Sequence, residues 1–272
     1  MGDFRLLQDD SPVPIAVFTT SEEPIRIALL LDSSKSTVTV LDKIKKAAKS
    51  LLRQLRPQDQ AMVVSFDSEI QVLCPPSPDR AELESGIDKV RVGGIVGTRM
   101  RDAISQIMQG WFHSVRGRMA IVLLSDGQDY GSHITDSDLV NAVSTSNTVI
   151  YSVFYSVDPR EVMKKLFGVS SRLPPGKPGD SRGPYGEWSR RETEAAAFMQ
   201  QLSDLSAGRF YRSEMPNLKE IFERIAEELR HQYQLGFYPE KAKLDGEVHL
   251  LRVEVSGPGL TVRARRSYRA TK

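Results

Sequence analysis

Residues 25–32, IRIALLLD, constrain the fold of this chain more than any other stretch. Ile25, Ile27, Ala28, Leu29, Leu30 and Leu31 form a nearly unbroken apolar run, the pattern of a strand covered on both faces. The run stops at Asp32, and Ser34 and Ser36 follow at steps of two. In extended chain such residues point to one side, so a carboxylate and two hydroxyls converge at the carboxyl end of the strand. Open α/β sheets bind ligands at that edge. Three hard oxygen donors suit Mg²⁺ or Mn²⁺ better than zinc or copper.

The rest of the chain supplies the sheet this strand needs. Val38, Leu41, Ile44, Ala48, Leu51, Leu52 and Leu55 recur at helical spacing, which predicts a helix over 37–56 that Pro57 ends. Strands are expected at 60–66 and, after a tight turn, at 69–73, antiparallel at the sheet edge. Helices at 79–90, 99–114 and 135–146 alternate with strands at 119–125 and 148–155. Residues 157–192 interrupt the pattern. They read as an insertion, helical at 159–167 and otherwise a mobile loop, with Tyr185, Trp188, Arg190 and Arg191 as a partner-binding patch in the sharper reading. A helix at 194–206, stopped by Ala207-Gly208, a strand at 209–212 and a helix at 217–230 complete an α/β, doubly wound, mostly parallel six-stranded sheet. The two ends read as strand: a hairpin over 4–18 turning at Gln8–Pro12, and strands at 232–238, 248–256 and 260–268. Neither end buries an apolar face alone, so both are expected in one small antiparallel sheet beside the main domain. The domain reading is therefore 25–232, with 1–24 and 233–272 as an accessory element.

Asp32-x-Ser34-x-Ser36 after an apolar strand resembles the metal-ion-dependent adhesion site (MIDAS) of von Willebrand factor type A domains, including integrin I domains. That resemblance implies two further pieces, a Thr after a Gly-rich loop and a strand ending in Asp-Gly. Gly93-Gly94-Ile95-Val96-Gly97-Thr98 and Ala120–Gly127, AIVLLSDG, supply them in that order. YQLGFYP after the last helix and the closing VRARRSY resemble bacterial VWFA-related domain proteins over nearly the whole chain. The resemblance implies a Rossmann-like fold and a Mg²⁺ or Mn²⁺ site formed by Asp32, Ser34, Ser36, Thr98 and Asp126. It also implies a protein partner whose Asp or Glu carboxylate completes the metal shell.

Other readings stand beside this one. Singly, Ser36, Thr37 and Thr98 are ordinary helix caps. A phosphate loop at Lys35-Ser36-Thr37 lacks the upstream glycines that would cradle phosphates. A metal-dependent hydrolase or phosphatase would need a base beyond the ligands, and only His133, seven residues past Asp126, falls near enough in sequence. A scaffold that has lost metal binding is a third reading. Arg99 and Arg101 flank the site at a helix start, pointing to solvent or favouring an acidic partner surface.

Composition narrows the classes. A net charge of +2 gives no argument for nucleic acid or a membrane surface, and no apolar run is long enough to cross a bilayer. The single Cys74 excludes an internal disulfide and, with four scattered His, a zinc cluster. The chain opens within an expected strand, Phe4–Leu7, with no leader in view. It therefore reads as a piece of a longer protein, so the missing leader says little about location; the whole protein is expected to be secreted, periplasmic or at the cell surface. The partner's identity and the oligomeric state are not legible.

Overall fold

The structure is a computed structural model describing residues 3–19, 23–95, 97–113, 117–168, 184–213, 217–239, 246–257, 259–260 and 262–269. The chain opens with three short strands, β1 (Phe4–Gln8), β2 (Ser11–Val13) and β3 (Val17–Thr19). Then comes β4 (Ile25–Asp32), which leads through a 3₁₀ turn at Lys35–Thr39 into α1 (Leu41–Arg53). Next are β5 (Gln60–Phe66), β6 (Ile70–Ser77), α2 (Arg80–Lys89), α3 (Met100–Gln109) and β7 (Arg118–Ser125). The pattern continues with α4 (Asp136–Thr145), β8 (Val149–Tyr155), α5 (Pro159–Phe167), α6 (Pro184–Leu205), β9 (Phe210–Ser213) and α7 (Leu218–Arg230). Three strands close it: β10 (Gln234–Gly236), β11 (Val248–Val255) and β12 (Ser267–Arg269).

The main sheet has six strands in the order β6-β5-β4-β7-β8-β9, all parallel except the edge strand β6. Alternate residues of each central strand feed two cores. Ile27, Leu29, Leu31, Val122 and Leu124 pack with α1 and α7 on one face. Ala28, Leu30, Ile121 and Leu123 pack with α3, α4 and α6 on the other. From β4 the chain steps outward to β5 on one side, and β7 pairs on the other side. The crevice between the carboxyl ends of β4 and β7 is thus the topological switch point, where such sheets bind ligands.

The termini do pair, but in two ladders rather than one sheet. Strand β1 lies between β2 and β11, with β12 beyond, while β3 pairs separately with β10. The reason lies in the first turn. Asp9 and Asp10 both take left-handed φ, 48° and 61°, so the chain reverses in two residues and β2 begins at Ser11, inside the turn expected at Gln8–Pro12. Pro12 is tolerated there because β2 is an edge strand. Val17 to Thr19 are then free to pair with β10. Phe4, Phe18 and Tyr233 meet with ring centroids 5.3–5.8 Å apart and join the two ladders. The expected strand at 260–268 shortens to β12, and the expected strand at 232–238 to β10.

Arg265, just before β12, fastens this terminal element to the main body. Its guanidinium donates to Val143 O at 2.7 Å and to Ser146 O, carbonyls at the end of α4. Burial pushes its pKa down. Arg265→Ala leaves those carbonyls short of a charged donor and is expected to cost about 2 kcal/mol. Urea denaturation checks this, and a change below about 0.5 kcal/mol, the range of an ordinary surface substitution, would show that the contact carries no stability.

The insertion differs from the expectation at its far end. Helix α6 starts at Pro184 rather than 194, with Pro in its first turn where its missing N–H costs nothing. Trp188 packs partly buried against the first core, and Arg191 bonds the Tyr130 hydroxyl at 3.1 Å and pairs with Glu187. Residues 187–192 are therefore part of a packed helix and not a mobile loop, and Trp188 is spent on the core instead of on a free patch. Residues 169–183, where mobility was also expected, lie outside the described residues.

Candidate metal centre

Asp32 ends β4 with its side chain wholly buried. One carboxylate oxygen, Oδ1, accepts from Ser34 N at 2.9 Å, and Oδ2 accepts from Ser125 Oγ at 2.6 Å. The first bond is an Asx turn, which bends the chain off the strand. Ser34 O then accepts from Thr37 N and Thr37 Oγ1, at 3.0 and 2.8 Å, and starts the 3₁₀ turn. Ser34 is the residue at the cap of that turn, yet its hydroxyl makes no capping bond and stands 3.0 Å from Ser36 Oγ. The two hydroxyls thus meet at one point as expected, but through an Asx turn and a 3₁₀ turn rather than along the extended loop that the two-residue spacing suggested.

Asp126 follows β7, which places it in the same crevice. Its Oδ1 accepts from Gln128 N at 3.1 Å, and it also takes a hydrogen bond from the Ser36 hydroxyl. Thr98 arrives by main-chain contacts: it exchanges backbone bonds of 3.0 and 2.8 Å with Tyr130. Arg99, not Thr98, caps α3, so the cap reading fails for Thr98, which is 4% exposed. The structure therefore brings the Asp32, Ser34, Ser36 and Asp126 side chains together, and sets Thr98 on the loop paired to the one that Asp126 begins.

The electrostatics follow from burial. Asp32 is pushed from 3.8 up to about 7, first by desolvation and then by the Asp126 charge, against the bonds from Ser125 and Ser34. Asp126 is raised too, by burial above all, with bonds from Ser36 and Gln128 opposing and Glu192 adding repulsion. Two carboxylates out of water and close to each other destabilise their shared charged state. Tyr155 at the end of β8 lies near this pair. It is fully buried, and its hydroxyl has no hydrogen-bond partner among the described residues. Its ionisation is held well above the usual range by burial, then by Asp32 and Asp126.

Several contributors escape sequence reasoning. Ser125 reads as the last residue of a strand, yet it donates to Asp32. Asp67, one residue past β5, has only its strand-end position as a signal. Arg99 and Arg101 both pair with carboxylates of the protein itself. Arg99 bonds Asp102 at 2.7 Å and Arg101 bonds Asp129 at 3.1 Å and also Asp136. His133 Nδ1 lies 2.9 Å from Asp102 and 2.6 Å from Arg99 Nη2, so that ring nitrogen is engaged in fastening its loop to α3. Among the described residues, no group of three or more His, Cys, Asp or Glu is placed to hold a metal. Any cation at this site would draw on two carboxylates and on hydroxyls.

Comparison with known proteins places this geometry. Residues 27–128 match a family model described as von Willebrand factor type A domain, a shorter span than the 25–232 read from sequence. No curated protein matches the chain. Among solved structures, proximal thread matrix protein 1 from the mussel byssus, with a zinc-occupied MIDAS motif, is similar at 16% identity and TM-score 0.58, over 82% of this chain and 50% of that one. The von Willebrand factor type A protein from Catenulispora acidiphila is similar at 17% identity and TM-score 0.54, over 84% and 49%. The vWF domain of the type V pili tip protein Mfa5 from Porphyromonas gingivalis follows at 14% and 0.52, over 78% and 96%. The chain spans about half the length of the first two, and at these identities the likeness is one of fold.

Proposed function

Residues 27–128 carry a von Willebrand factor type A domain, and on that premise we propose that the chain is a metal-dependent protein-binding module. In this reading Asp32, Ser34, Ser36, Thr98 and Asp126 hold Mg²⁺ or Mn²⁺, and an Asp or Glu carboxylate of a partner protein completes the shell. One observation carries it: two carboxylates buried together at one sheet edge, Asp32 raised by burial and by the Asp126 charge and Asp126 raised by burial, face a pair of hydroxyls 3.0 Å apart. The unpartnered Tyr155 hydroxyl beside them supports it. A bound divalent cation supplies the positive charge that this arrangement lacks and a hard acid for an anionic oxygen. Asp32 and Asp126 offset that charge, and Ser125 and Gln128 orient them. Ser34 and Ser36 add neutral donors, which leave the cation attractive to a further carboxylate. The all-oxygen set favours magnesium or manganese over zinc.

A hydrolase would take its base from His133, whose Nδ1 is engaged by Asp102 and Arg99, and no observation favours that reading. No helix among the described residues is long and apolar enough to cross a membrane. A secreted, periplasmic or cell-surface location belongs to the same proposal, supported by the pili tip protein among the fold neighbours.

Selection from a displayed random-peptide library tests the reading. Enrichment of Asp- or Glu-containing peptides is expected in Mn²⁺ and not in chelator. Calorimetric titration of the protein alone should give heat with Mg²⁺ or Mn²⁺. Silence in both experiments would remove the proposal.

A further inference from the structure

We propose that Asp67 is a positioning residue that locks the two hydroxyl-bearing loops of this centre into one arrangement before any cation arrives. The inference rests on the metal-site reading above but on different residues. Asp67 lies one position past β5, at the same sheet edge as Asp32, and its bonds run to both loops. On one side its Oδ2 accepts from Ser33 Oγ at 3.1 Å. Ser33 is the residue between Asp32 and Ser34, and it is 2% exposed. On the other side the Asp67 carbonyl accepts from Arg99 N at 2.8 Å, the residue after Thr98. Ser33 closes the circuit: its carbonyl accepts from Gly93 N at 2.7 Å, at the start of the Gly-rich loop that ends in Thr98.

The remaining oxygen is spent locally. Asp67 Oδ1 accepts from Glu69 N at 2.9 Å and Ser68 Oγ at 3.3 Å, which fixes the carboxylate's orientation in the β5–β6 turn. Both oxygens take protein donors, and Asp67 acts on the site through Ser33, whose carbonyl holds Gly93 N. The loop fits around it closely. A Cβ added at Gly93 would stand 2.4 Å from Asp67 Oδ2 and 2.7 Å from its Cγ. A Cβ at Gly97 would stand 3.1 Å from Ser68 Cβ. Two glycines of the Gly-rich loop are thus explained by the approach of the Asp67 turn. Cation binding to loose loops costs conformational entropy at the moment of binding, and the Asp67 tie removes that cost in advance.

The experiment compares Asp67→Ala, Asp67→Asn, Gly93→Ala and the double variant Asp67→Ala/Gly93→Ala. Mn²⁺ affinity is read by calorimetry, and exchange of the Gly93 amide is read by NMR in cation-free protein. Asp67→Ala is expected to weaken Mn²⁺ roughly 10–100-fold, the usual effect of losing an outer support, and to speed Gly93 exchange. Asp67→Asn keeps an acceptor oxygen without the charge and recovers most of both. Gly93→Ala pushes the carboxylate off Ser33 and behaves like Asp67→Ala, while the double variant is little worse than Asp67→Ala alone, because the carboxylate is gone and only the Cβ at 67, 3.1 Å away, remains close. An unchanged Mn²⁺ affinity in Asp67→Ala, or an Asn variant as weak as the Ala variant, overturns the proposal; the latter outcome assigns the effect to charge. If the wild-type protein takes no Mn²⁺, the metal reading falls, and Gly93 exchange alone decides the tie: faster in Asp67→Ala upholds it, unchanged overturns it.

Discussion

Without a divalent cation, the protein is expected to lose stability as pH rises from 3.8 to about 7, the interval between the ordinary and the folded pKa of Asp32. The sign follows from linkage. A carboxyl whose folded pKa is raised binds its proton more tightly in the folded state. Below 3.8 both states are protonated and the site costs nothing, whereas above about 7 the folded state must hold a buried charge that the unfolded chain hydrates freely. The full penalty is on the order of 4 kcal/mol, and Asp126 adds to it in the same direction. Asp102 does not blur this window. Burial works against it, yet bonds from the His133 ring, from the His133 and Ile134 backbone and from Arg99 hold it well below the carboxylate range. Its contribution is therefore present above the ordinary carboxylate pKa and lost only as pH falls further.

Two manipulations should cancel the penalty. Mg²⁺ or Mn²⁺ at saturating concentration stabilises the folded state by mass action and restores stability at pH 8. Asp32→Asn removes the charge while keeping oxygen for Ser34 N or Ser125 Oγ, so it should flatten the pH profile and abolish cation binding together. Asp32→Ala also abolishes binding, but it strands those two buried donors at about 1–3 kcal/mol each and so forfeits much of the gain. Urea denaturation at several pH values, with and without cation, is the measurement. A flat profile for wild type in chelator, or an Asn variant that binds cation as well as wild type, would refute this account.

Replacing Gly208 with alanine should be severely damaging. An added Cβ would lie 1.9 Å from Ile150 O and 2.6 Å from Ile150 C, main-chain atoms of β8. Strand β8 is hydrogen-bonded between β7 and β9 and cannot retreat. Ile150 N is also held by Ser206 Oγ at 2.9 Å, and Ser152 N by Arg209 O at 3.0 Å, so the same few residues stitch the end of α6 to the sheet. A loss above about 4 kcal/mol is expected, enough to leave little folded protein. The residue before it behaves in the opposite way. Ala207 carries the left-handed φ of 61° that a helix stop demands, a conformation costing a non-glycine residue about 1 kcal/mol. Ala207→Gly is therefore expected to be neutral or mildly stabilising. Thermal melts of both variants decide it, and a Gly208→Ala protein melting near wild type would show that the close approach to β8 is relieved at no cost.

That pair of residues marks the border between what the chain announces and what it conceals. Ala207-Gly208 reads correctly as a helix stop, but not that glycine serves the close approach while alanine bears the strained angle. Wherever the signal is local and periodic, reading succeeds. The apolar run of β4 and the matching run of β7 identify strands buried on both faces. The Ser34 and Ser36 hydroxyls do come within 3.0 Å of each other, as the two-residue steps from Asp32 suggest, although an Asx turn and the 3₁₀ turn at Lys35–Thr39, not extended backbone, bring them there. The helical faces of α1 and α7 are legible for the same reason, since turn geometry and burial act within a few residues.

Contacts between distant segments left no such mark. Asp67, Ser125 and Tyr155 come to the crevice because parallel strands all end at one edge, a property of the assembled sheet and not of any window of sequence. Arg99 and Arg101 look like free cations beside the site until folding delivers Asp102, Asp129 and Asp136 to neutralise them. Trp188 sits in a Gly- and Pro-rich neighbourhood, yet in α6 it packs partly buried against the core. The terminal strands were visible as strands, but their division into two ladders followed from two left-handed aspartates whose turn is stabilised by His249 and Leu250, some 240 residues away. Local propensity decided the elements; the choice of partners was made by tertiary packing, where long-range hydrogen bonds and desolvation outweigh the preferences of any single stretch.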